Sequence, residues 1–138
     1  KKKYIEKDEF DKNIRLNLNY GHTFGHAIEN LTNLPHGISV AHGMDISNYI
    51  SFKNNFITHE TYLEMRETLD MIIKHYRIKQ INIGKLLHLI KKDKKSTKKN
   101  IRVILTKGIG RMLISTINDE VKFMKDLNEY CHKNNIKI

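Results

Sequence analysis

Cysteine, proline, glycine and long apolar runs are all scarce in this sequence. It has one cysteine, Cys131, one proline and seven glycines. A single cysteine excludes an internal disulfide framework and fits a reducing, cytoplasmic compartment. We expect neither a membrane span nor a secretory signal, because no apolar run approaches the roughly 20 residues that a span needs. The scarcity of proline and glycine favours helices over a β-barrel or a β-sandwich.

Positive charge is in excess over the 138 residues, with 25 Lys and Arg against 15 Asp and Glu and a net charge of +10. Such a balance favours anionic partners. Part of the charge lies in the run from Lys91 to Lys99, which fits a solvated loop, a phosphate-binding loop or a nucleic-acid contact. Because no aromatic residues interleave with these lysines and no nucleic-acid-binding motif appears, we expect no nucleic-acid partner.

The periodicity of the apolar residues predicts one mainly α-helical domain with a small β-hairpin. The β-branched runs at 101–105 and 111–115 flank a glycine-containing turn and predict the hairpin near residues 101–115. Apolar stripes assign Tyr62, Met65, Leu69, Ile72, Ile73 and Tyr76 to the core, and Val121, Met124, Leu127 and Cys131 to the last helix. The predicted helices run from about Tyr20 to Asn33, from Gly37 to Asn54, onward from an N-cap at Thr58, from about Ile83 to Lys91, and onward from a cap at Asn118.

Three histidines form the strongest candidate site. His22 and His26, four residues apart in Gly21-His-Thr-Phe-Gly-His-Ala-Ile-Glu29, share one helix face, and His36 follows a turn that contains Pro35. Grouped neutral imidazoles can bind a divalent metal or transfer protons. An isolated pair of this spacing is more often core packing, but each glycine inside a helix costs about 1 kcal/mol and therefore needs a reason, such as close approach of a ligand or another helix.

The other histidines are expected to lie outside the site. His42 follows His36 by six residues and lies on a different helix face, which indicates a structural or surface role. The remaining four lack companions of the right type and are expected to be solvated or partly packed; they are His59, His75, His88 and His132.

The segment from Arg15 to Glu29 resembles the signature of 3-dehydroquinate synthase and its sugar-phosphate cyclase relatives. His36-Gly37 with Gly43-Met44 is similar to the next block of that family. Further similar blocks are Asp93-Lys94-Lys95, Ile101–Leu105 and Ile109-Gly110, and Lys1, Asp8-Glu9 and Arg15 match the family's lysine-to-arginine segment.

The resemblance implies an enzyme with an N-terminal NAD-binding domain and a helical C-terminal domain that holds metal and substrate. Residues 1–138 are similar to the C-terminal domain alone, and the sequence has no Gly-rich dinucleotide fingerprint. Because it opens without Met, we expect a piece of a longer polypeptide, inactive in isolation. In the family Zn²⁺ or Co²⁺ is bound by two histidines, here His22 and His36, and by a glutamate that lies upstream of this chain.

The family reaction converts 3-deoxy-D-arabino-heptulosonate 7-phosphate to 3-dehydroquinate in the shikimate pathway of aromatic amino acid biosynthesis. NAD transiently oxidises one hydroxyl, and phosphate leaves by elimination. His26 matches a histidine that contacts the substrate and helps to move protons, with Lys1 and Asn19 as further catalytic matches. Arg15, Asn19, Lys94 and Lys95 match positions that bind the anionic substrate, and either lysine of the pair can be the one that points inward. The family also implies a homodimer as a possible assembly.

One departure from the family pattern leaves other activities open. After His36-Gly37 the chain has Ile38-Ser39 where the shikimate-pathway enzyme usually has a glutamate and a small residue. A related cyclase that makes a cyclitol precursor fits this change. A metal-dependent polyol dehydrogenase shares the architecture but lacks the lysine pair and the arginine-asparagine segment. A basic nucleic-acid-binding domain and a catalytically dead scaffold are the remaining alternatives.

Overall fold

The computed structural model describes residues 19–92 and 101–138, in which five helices and one hairpin pack around a shared core. The predicted class, mainly α with a small hairpin, is confirmed. The elements in chain order are α1 (His22–Thr32), α2 (His36–Lys53), α3 (His59–Ile73), α4 (Ile83–Lys92), β1 (Ile101–Gly108), β2 (Arg111–Ile117) and α5 (Glu120–Lys133).

Left-handed residues set both ends of α1. Gly21 has φ of 81° and precedes the first helical residue, and Asn33 has φ of 62° and closes the helix with its backbone N–H on the carbonyl of Glu29. The predicted start at Tyr20 is therefore two residues early, because the backbone of Gly21 leaves the helical region. The short link that follows leads through Pro35 into α2, so His36 is the first residue of that helix.

Helix α2 runs through the centre of the domain. Every residue from Ser39 to Ser51 except Met44 is buried, and α2 packs against α1, α3, β1 and α5. Several of these buried residues are polar, and some of them form hydrogen bonds to other elements. The buried side chain of His42, for example, donates from Nε2 to the carbonyl of Tyr76 at 2.8 Å, so its role is structural and the surface alternative is wrong.

Helices α1 and α2 approach each other at glycines. A Cβ built on Gly43 would lie 2.1 Å from the carbonyl oxygen of Gly21 and 2.6 Å from the backbone nitrogen of Gly25. A Cβ on Gly25 would lie 2.9 Å from the Cα of Val40. The unusual glycines of the histidine segment are thus explained by close packing of a second helix, one of the two reasons that the sequence suggested.

The hairpin and the last helix close the other side of the core. β1 pairs antiparallel with β2 from Ile101↔Ile117 to Gly108↔Arg111, and a bulge lies between Thr106 and Gly108. Only β1 is well buried, because β1 packs against α2, whereas β2 lies on the outer side of β1. The core side chains from the five helices and β1 include Phe24, Ile28, Ile46, Tyr49, Ile50, Tyr62, Leu86, Ile90, Val103, Leu105, Phe123, Leu127 and Tyr130.

Several local predictions were wrong. Ile72 and Tyr76 were assigned to the core but are 44% and 48% exposed. Ile72 lies in α3, which buries a narrow face of which only Tyr62 and Ile73 are buried, and Tyr76 lies beyond the end of that helix. The N-cap of α5 is Asp119 rather than Asn118, since its carboxylate accepts from the backbone of Lys122 at 3.0 Å.

Four predicted site residues, Lys1, Arg15, Lys94 and Lys95, lie outside the described residues. Within residues 19–92 and 101–138, no helix combines the length and the apolar character that crossing a membrane requires.

Candidate functional site

The structure brings the three histidines of the sequence motif together. The ring centres of His22 and His26 are 5.6 Å apart, and that of His36 lies 5.7 Å from each of the other two. The three rings thus form a nearly equilateral triangle, although two belong to α1 and one to α2. The side chain of His36 is 54% exposed, and His26 is exposed as well, so a ligand can reach the triangle from solvent.

The spacing of these rings suits a shared metal ion. A Zn–N bond of about 2.0–2.1 Å places each ring centre about 3 Å from the ion, so two imidazoles at a tetrahedral angle on one ion have centres about 5 Å apart, close to the separations observed here. Among the residues that the structure describes, no group of three or more His, Cys, Asp or Glu forms a complete metal cage. Two of the three imidazoles therefore fit as part of a donor set, and a third protein ligand is required for a catalytic site; the family resemblance predicts that the two are His22 and His36.

The turn before α1 orients His22. Its Nδ1 lies 3.3 Å from the carbonyl oxygen of Tyr20, and a carbonyl can only accept a hydrogen bond. The Tyr20 hydroxyl in turn donates to the side-chain oxygen of Asn48, which is buried in α2. Burial raises the pKa of Tyr20 well above its usual range, so the phenol remains a donor. The ring of His22 is thus connected through the Tyr20 residue to the centre of the domain.

Glu29 contacts the third histidine. Its Oε2 lies 3.0 Å from Nδ1 of His36, across the turn that joins α1 to α2. Glu29 follows His26 by three residues and His22 by seven, so all three lie on one face of α1. Glu29 belongs to the sequence motif, but no role was predicted for it. The signal that could have identified it is its helical register with the two histidines.

The remaining predicted residue in the described part is Asn19. It is half-buried and lies three residues before His22, in the segment that leads into α1. This position is compatible with the substrate-binding role that the family resemblance implies. His59, His75, His88 and His132 are exposed and lie outside the triangle, as expected.

A buried polar cluster fixes α2 from the side of α3 and α5. Asp45, fully buried, has its Oδ2 2.9 Å from the guanidinium of Arg66 and accepts from the Tyr130 hydroxyl at 2.5 Å. Loss of hydration raises the pKa of Asp45 to about 6, although Arg66 acts in the opposite direction. Sequence reasoning missed this cluster, because its members are far apart along the chain.

A mainly apolar groove lies between α2, α3 and the hairpin. Its volume is about 290 Å³. None of Asn19, His22, His26 and His36 lines it, so it is separate from the histidine triangle. It is lined by Tyr20, Met44, Asn48, Glu64, Met65, Thr68, Leu69, Ile109, Gly110 and Met112.

Fold and sequence define the chain first as a helical enzyme domain. The family model described as "3-dehydroquinate synthase C-terminal" matches residues 1–96. The chain belongs to this family, whose members are enzymes of the lyase and cyclase type.

Curated relatives agree over nearly the whole chain. The 3-dehydroquinate synthase of Dictyoglomus turgidum is 36% identical over 137 residues, which cover 94% of this chain and 38% of that protein. The 3-dehydroquinate synthase of Helicobacter pylori (strain P12) is 36% identical over 135 residues, which cover 94% of this chain and 39% of that protein. The chain thus spans about two fifths of the length of these relatives.

Solved structures confirm the fold. A 2-deoxy-scyllo-inosose synthase complexed with carbaglucose-6-phosphate, NAD⁺ and Co²⁺ superposes with a TM-score of 0.70 at 22% identity, over 86% of this chain and 36% of that chain. A second structure of 2-deoxy-scyllo-inosose synthase superposes with a TM-score of 0.69 at 23% identity, over 88% of this chain and 34% of that chain. At this identity the likeness shows that the chain has the fold of sugar-phosphate cyclases.

Proposed function

We propose that this chain is the metal- and substrate-binding C-terminal part of a 3-dehydroquinate synthase, an enzyme that converts 3-deoxy-D-arabino-heptulosonate 7-phosphate to 3-dehydroquinate and phosphate. The observation that carries the proposal is the triangle of His22, His26 and His36, with ring centres 5.6–5.7 Å apart. The named relatives, each more than twice as long, support a further part outside this chain, and the NAD⁺ complex of the similar 2-deoxy-scyllo-inosose synthase supports NAD binding by the whole enzyme.

His22 and His36 are the proposed ligands of Zn²⁺ or Co²⁺, and a glutamate from the preceding part completes the set. When bound, such an ion acts as a Lewis acid that polarises a coordinated hydroxyl or carbonyl oxygen. The two imidazoles bind the ion as neutral donors and fix its place beside His26.

His26 and Asn19 are the proposed substrate-contacting residues in the described part. An exposed imidazole can accept a proton from a substrate hydroxyl and return it, and an amide can bind a hydroxyl as donor or acceptor. Lys1, Arg15, Lys94 and Lys95 are proposed to bind the carboxylate and phosphate of the substrate, with Lys1 also close to the chemistry. Their positive charge suits an anionic sugar acid.

Phosphate release from 3-deoxy-D-arabino-heptulosonate 7-phosphate tests the proposal in the full-length enzyme, purified with NAD⁺ and with Zn²⁺ or Co²⁺. We expect release that requires the metal and is lost in His22→Ala. His88→Ala removes an exposed histidine of α4 and is the matched control, expected to keep full activity. Metal-independent release, or full activity of His22→Ala, would refute the proposed site.

Ile38-Ser39 favours a second candidate, a related cyclase acting on another sugar phosphate. Both residues lie in the first turn of α2 beside His36, and the buried Ser39 donates from Oγ to the carbonyl of Leu34 at 3.3 Å. A glutamate is thus absent from a position close to the candidate metal ligand. Turnover of sedoheptulose 7-phosphate, with no phosphate release from the heptulosonate, would establish this alternative; oxidation of glycerol-like alcohols would indicate a polyol dehydrogenase instead.

A further inference from the structure

In the contact between Glu29 and His36, the histidine is the hydrogen-bond donor and the carboxylate is the acceptor. An ionised carboxylate has acceptors only, so the 3.0 Å contact with Nδ1 of His36 requires that this nitrogen carry the proton. A neutral imidazole protonated at Nδ1 has its lone pair on Nε2. We propose that Glu29 is a positioning residue, which holds His36 in this tautomer and thereby makes Nε2 the metal-binding atom. The inference rests on the proposed function, in which His36 is a metal ligand.

The exposure of His36 explains why such a partner is needed. The ring starts α2, and its side chain is 54% exposed, so core packing does not determine its orientation. In water a neutral imidazole exchanges between two tautomers and several rotamers. A hydrogen bond from one ring N–H to a carboxylate selects one of them, raises the basicity of the other nitrogen and aligns the ring, as outer partners of metal-bound histidines generally do.

The backbone holds Glu29 in place for this contact. It lies in the interior of α1, and the glycine contacts between Gly43 and the first turn of α1 fix the relative position of the two helices. The N–H of Asn33, in the left-handed region, closes the helix on the carbonyl of Glu29 itself, 3.1 Å away. The acceptor, Glu29, therefore lies in the rigid helix α1, whereas His36, the ring that it orients, is the first residue of α2.

Two other roles for Glu29 make different predictions. As a direct metal ligand it would belong to a cage with the histidines, but no such group of three exists among residues 19–92 and 101–138. As a simple negative charge it would attract any cation, without an effect on the tautomer of His36. His22 follows the same pattern as His36 with a different acceptor, because its Nδ1 faces the carbonyl of Tyr20 at 3.3 Å.

The first readout is the tautomer itself, measured without metal. Long-range ¹H–¹⁵N NMR spectra of the full-length protein at about pH 8, where imidazoles are neutral, distinguish a protonated Nδ1 from a protonated Nε2. We expect the proton of His36 on Nδ1 in the wild-type chain and a mixture of tautomers in Glu29→Ala. Gln can still accept through its amide oxygen, so Glu29→Gln is expected to keep most of the wild-type preference.

The second readout is the Zn²⁺ affinity of the full-length protein, which supplies the proposed third ligand, measured by calorimetry or by the shifts of the histidine ring protons. We expect Glu29→Ala to weaken binding about 10-fold or more, and Glu29→Gln to stay within about 3-fold of wild type. Glu67→Gln removes the same charge from an exposed position on α3 and is the matched control, expected to change neither readout.

The outcomes separate the inference from the function on which it rests. An unchanged His36 tautomer in Glu29→Ala, or wild-type Zn²⁺ affinity in that variant, would overturn the positioning role. Equal losses of affinity in Glu29→Gln and Glu29→Ala with an unchanged tautomer would show a direct ligand or a charge effect instead. Wild-type affinity in His36→Ala would overturn the proposed metal site, whatever the tautomer of His36 in the parent chain.

Discussion

Gly43 in α2 lies against the backbone of Gly21, so closely that a Cβ at Gly43 would be 2.1 Å from the carbonyl oxygen of Gly21. This oxygen already accepts from the N–H of Gly25 at 2.8 Å, in the first hydrogen bond of α1. The two helices can therefore approach only because position 43 has no side chain. Since His22 and His26 lie on one helix and His36 on the other, this approach fixes the histidine triangle.

Replacing Gly43 with alanine is expected to separate α1 from α2. The methyl group meets backbone atoms, which cannot rotate away, so we expect a loss of about 2–4 kcal/mol in the free energy of unfolding. Zn²⁺ binding is expected to weaken in the molecules that still fold, because the histidine rings move apart. Urea unfolding and Zn²⁺ calorimetry measure the two effects.

Gly37→Ala is the control for that substitution. Gly37 lies in the first turn of α2, and a Cβ there would meet nothing within 4 Å. We expect unchanged stability or a gain of up to about 1 kcal/mol from the reduced freedom of the unfolded chain. Similar losses in the two alanine variants would contradict the steric explanation for Gly43.

Zn²⁺ is expected to stabilise this chain against heat through the histidine triangle. At a free concentration ten times the dissociation constant, a ligand that binds only the folded state adds about 1.4 kcal/mol, or roughly 4–5 °C in Tm for a domain of this size. His22→Ala should abolish the increase in Tm, and His88→Ala should keep it. An equal increase in the His22 variant would place the metal elsewhere; differential scanning calorimetry with and without a chelator gives the answer.

Asp45 is expected to make stability depend on pH between about 4 and 6. Burial raises its pKa from 3.8 to about 6 in the folded chain, so the native state holds the proton over a range in which the unfolded state has released it. Stability from this group is therefore present below pH 4 and is lost as pH rises through 6. Arg66 and Tyr130 contact the carboxylate, and Tyr62 and Asp70 are the other titratable groups nearby.

A comparison with Asp45→Asn isolates this titration. We expect the stability of the wild type relative to the variant to decrease by roughly 2 kcal/mol between pH 4 and pH 7, as measured by urea unfolding. A relative stability that instead increases with pH would show that the ion pair with Arg66 outweighs desolvation, and that the pKa of Asp45 is lowered.

Ser51 is expected to hold the hairpin on the central helix. Its Oγ accepts from the backbone N–H of Thr106 in β1 at 2.9 Å and donates to the carbonyl of Ser47 at 2.7 Å. Ser51→Ala would leave the buried N–H of Thr106 without this partner, at a cost of about 1–3 kcal/mol. Hydrogen exchange of the Thr106 amide should accelerate in the variant. Unchanged exchange and stability would mean that another group replaces the serine.

Much of this architecture follows from local sequence signals. Thr58 was predicted as the N-cap of α3 and accepts from the N–H of Thr61 at 3.1 Å. The β-branched runs at 101–105 and 111–115 form the predicted hairpin, extended to Gly108 and Ile117. Such features depend on neighbours along the chain, so periodicity and capping suffice to predict them.

Burial was harder to predict where helices expose apolar residues. Ile72 and Tyr76 follow the spacing of Tyr62 and Ile73 but stay about half exposed. Apolar spacing defines a possible buried face, whereas the width of the covered face depends on which elements pack against the helix. Conversely, α2 buries Asp45, His42 and Asn48, which hydropathy alone would leave in solvent. Each forms a hydrogen bond to a residue outside α2: Tyr130, the carbonyl of Tyr76 and Tyr20, respectively.

The sequence by itself determined the family, the helical class and the identity of the three histidines, because each of these depends on residues that are close along the chain. The tertiary structure decided that the histidines meet, that Gly21 and Gly43 allow their helices to touch, and that Glu29 lies against Nδ1 of His36. These relations join separate elements across a distance set by packing, and no local pattern encodes that distance.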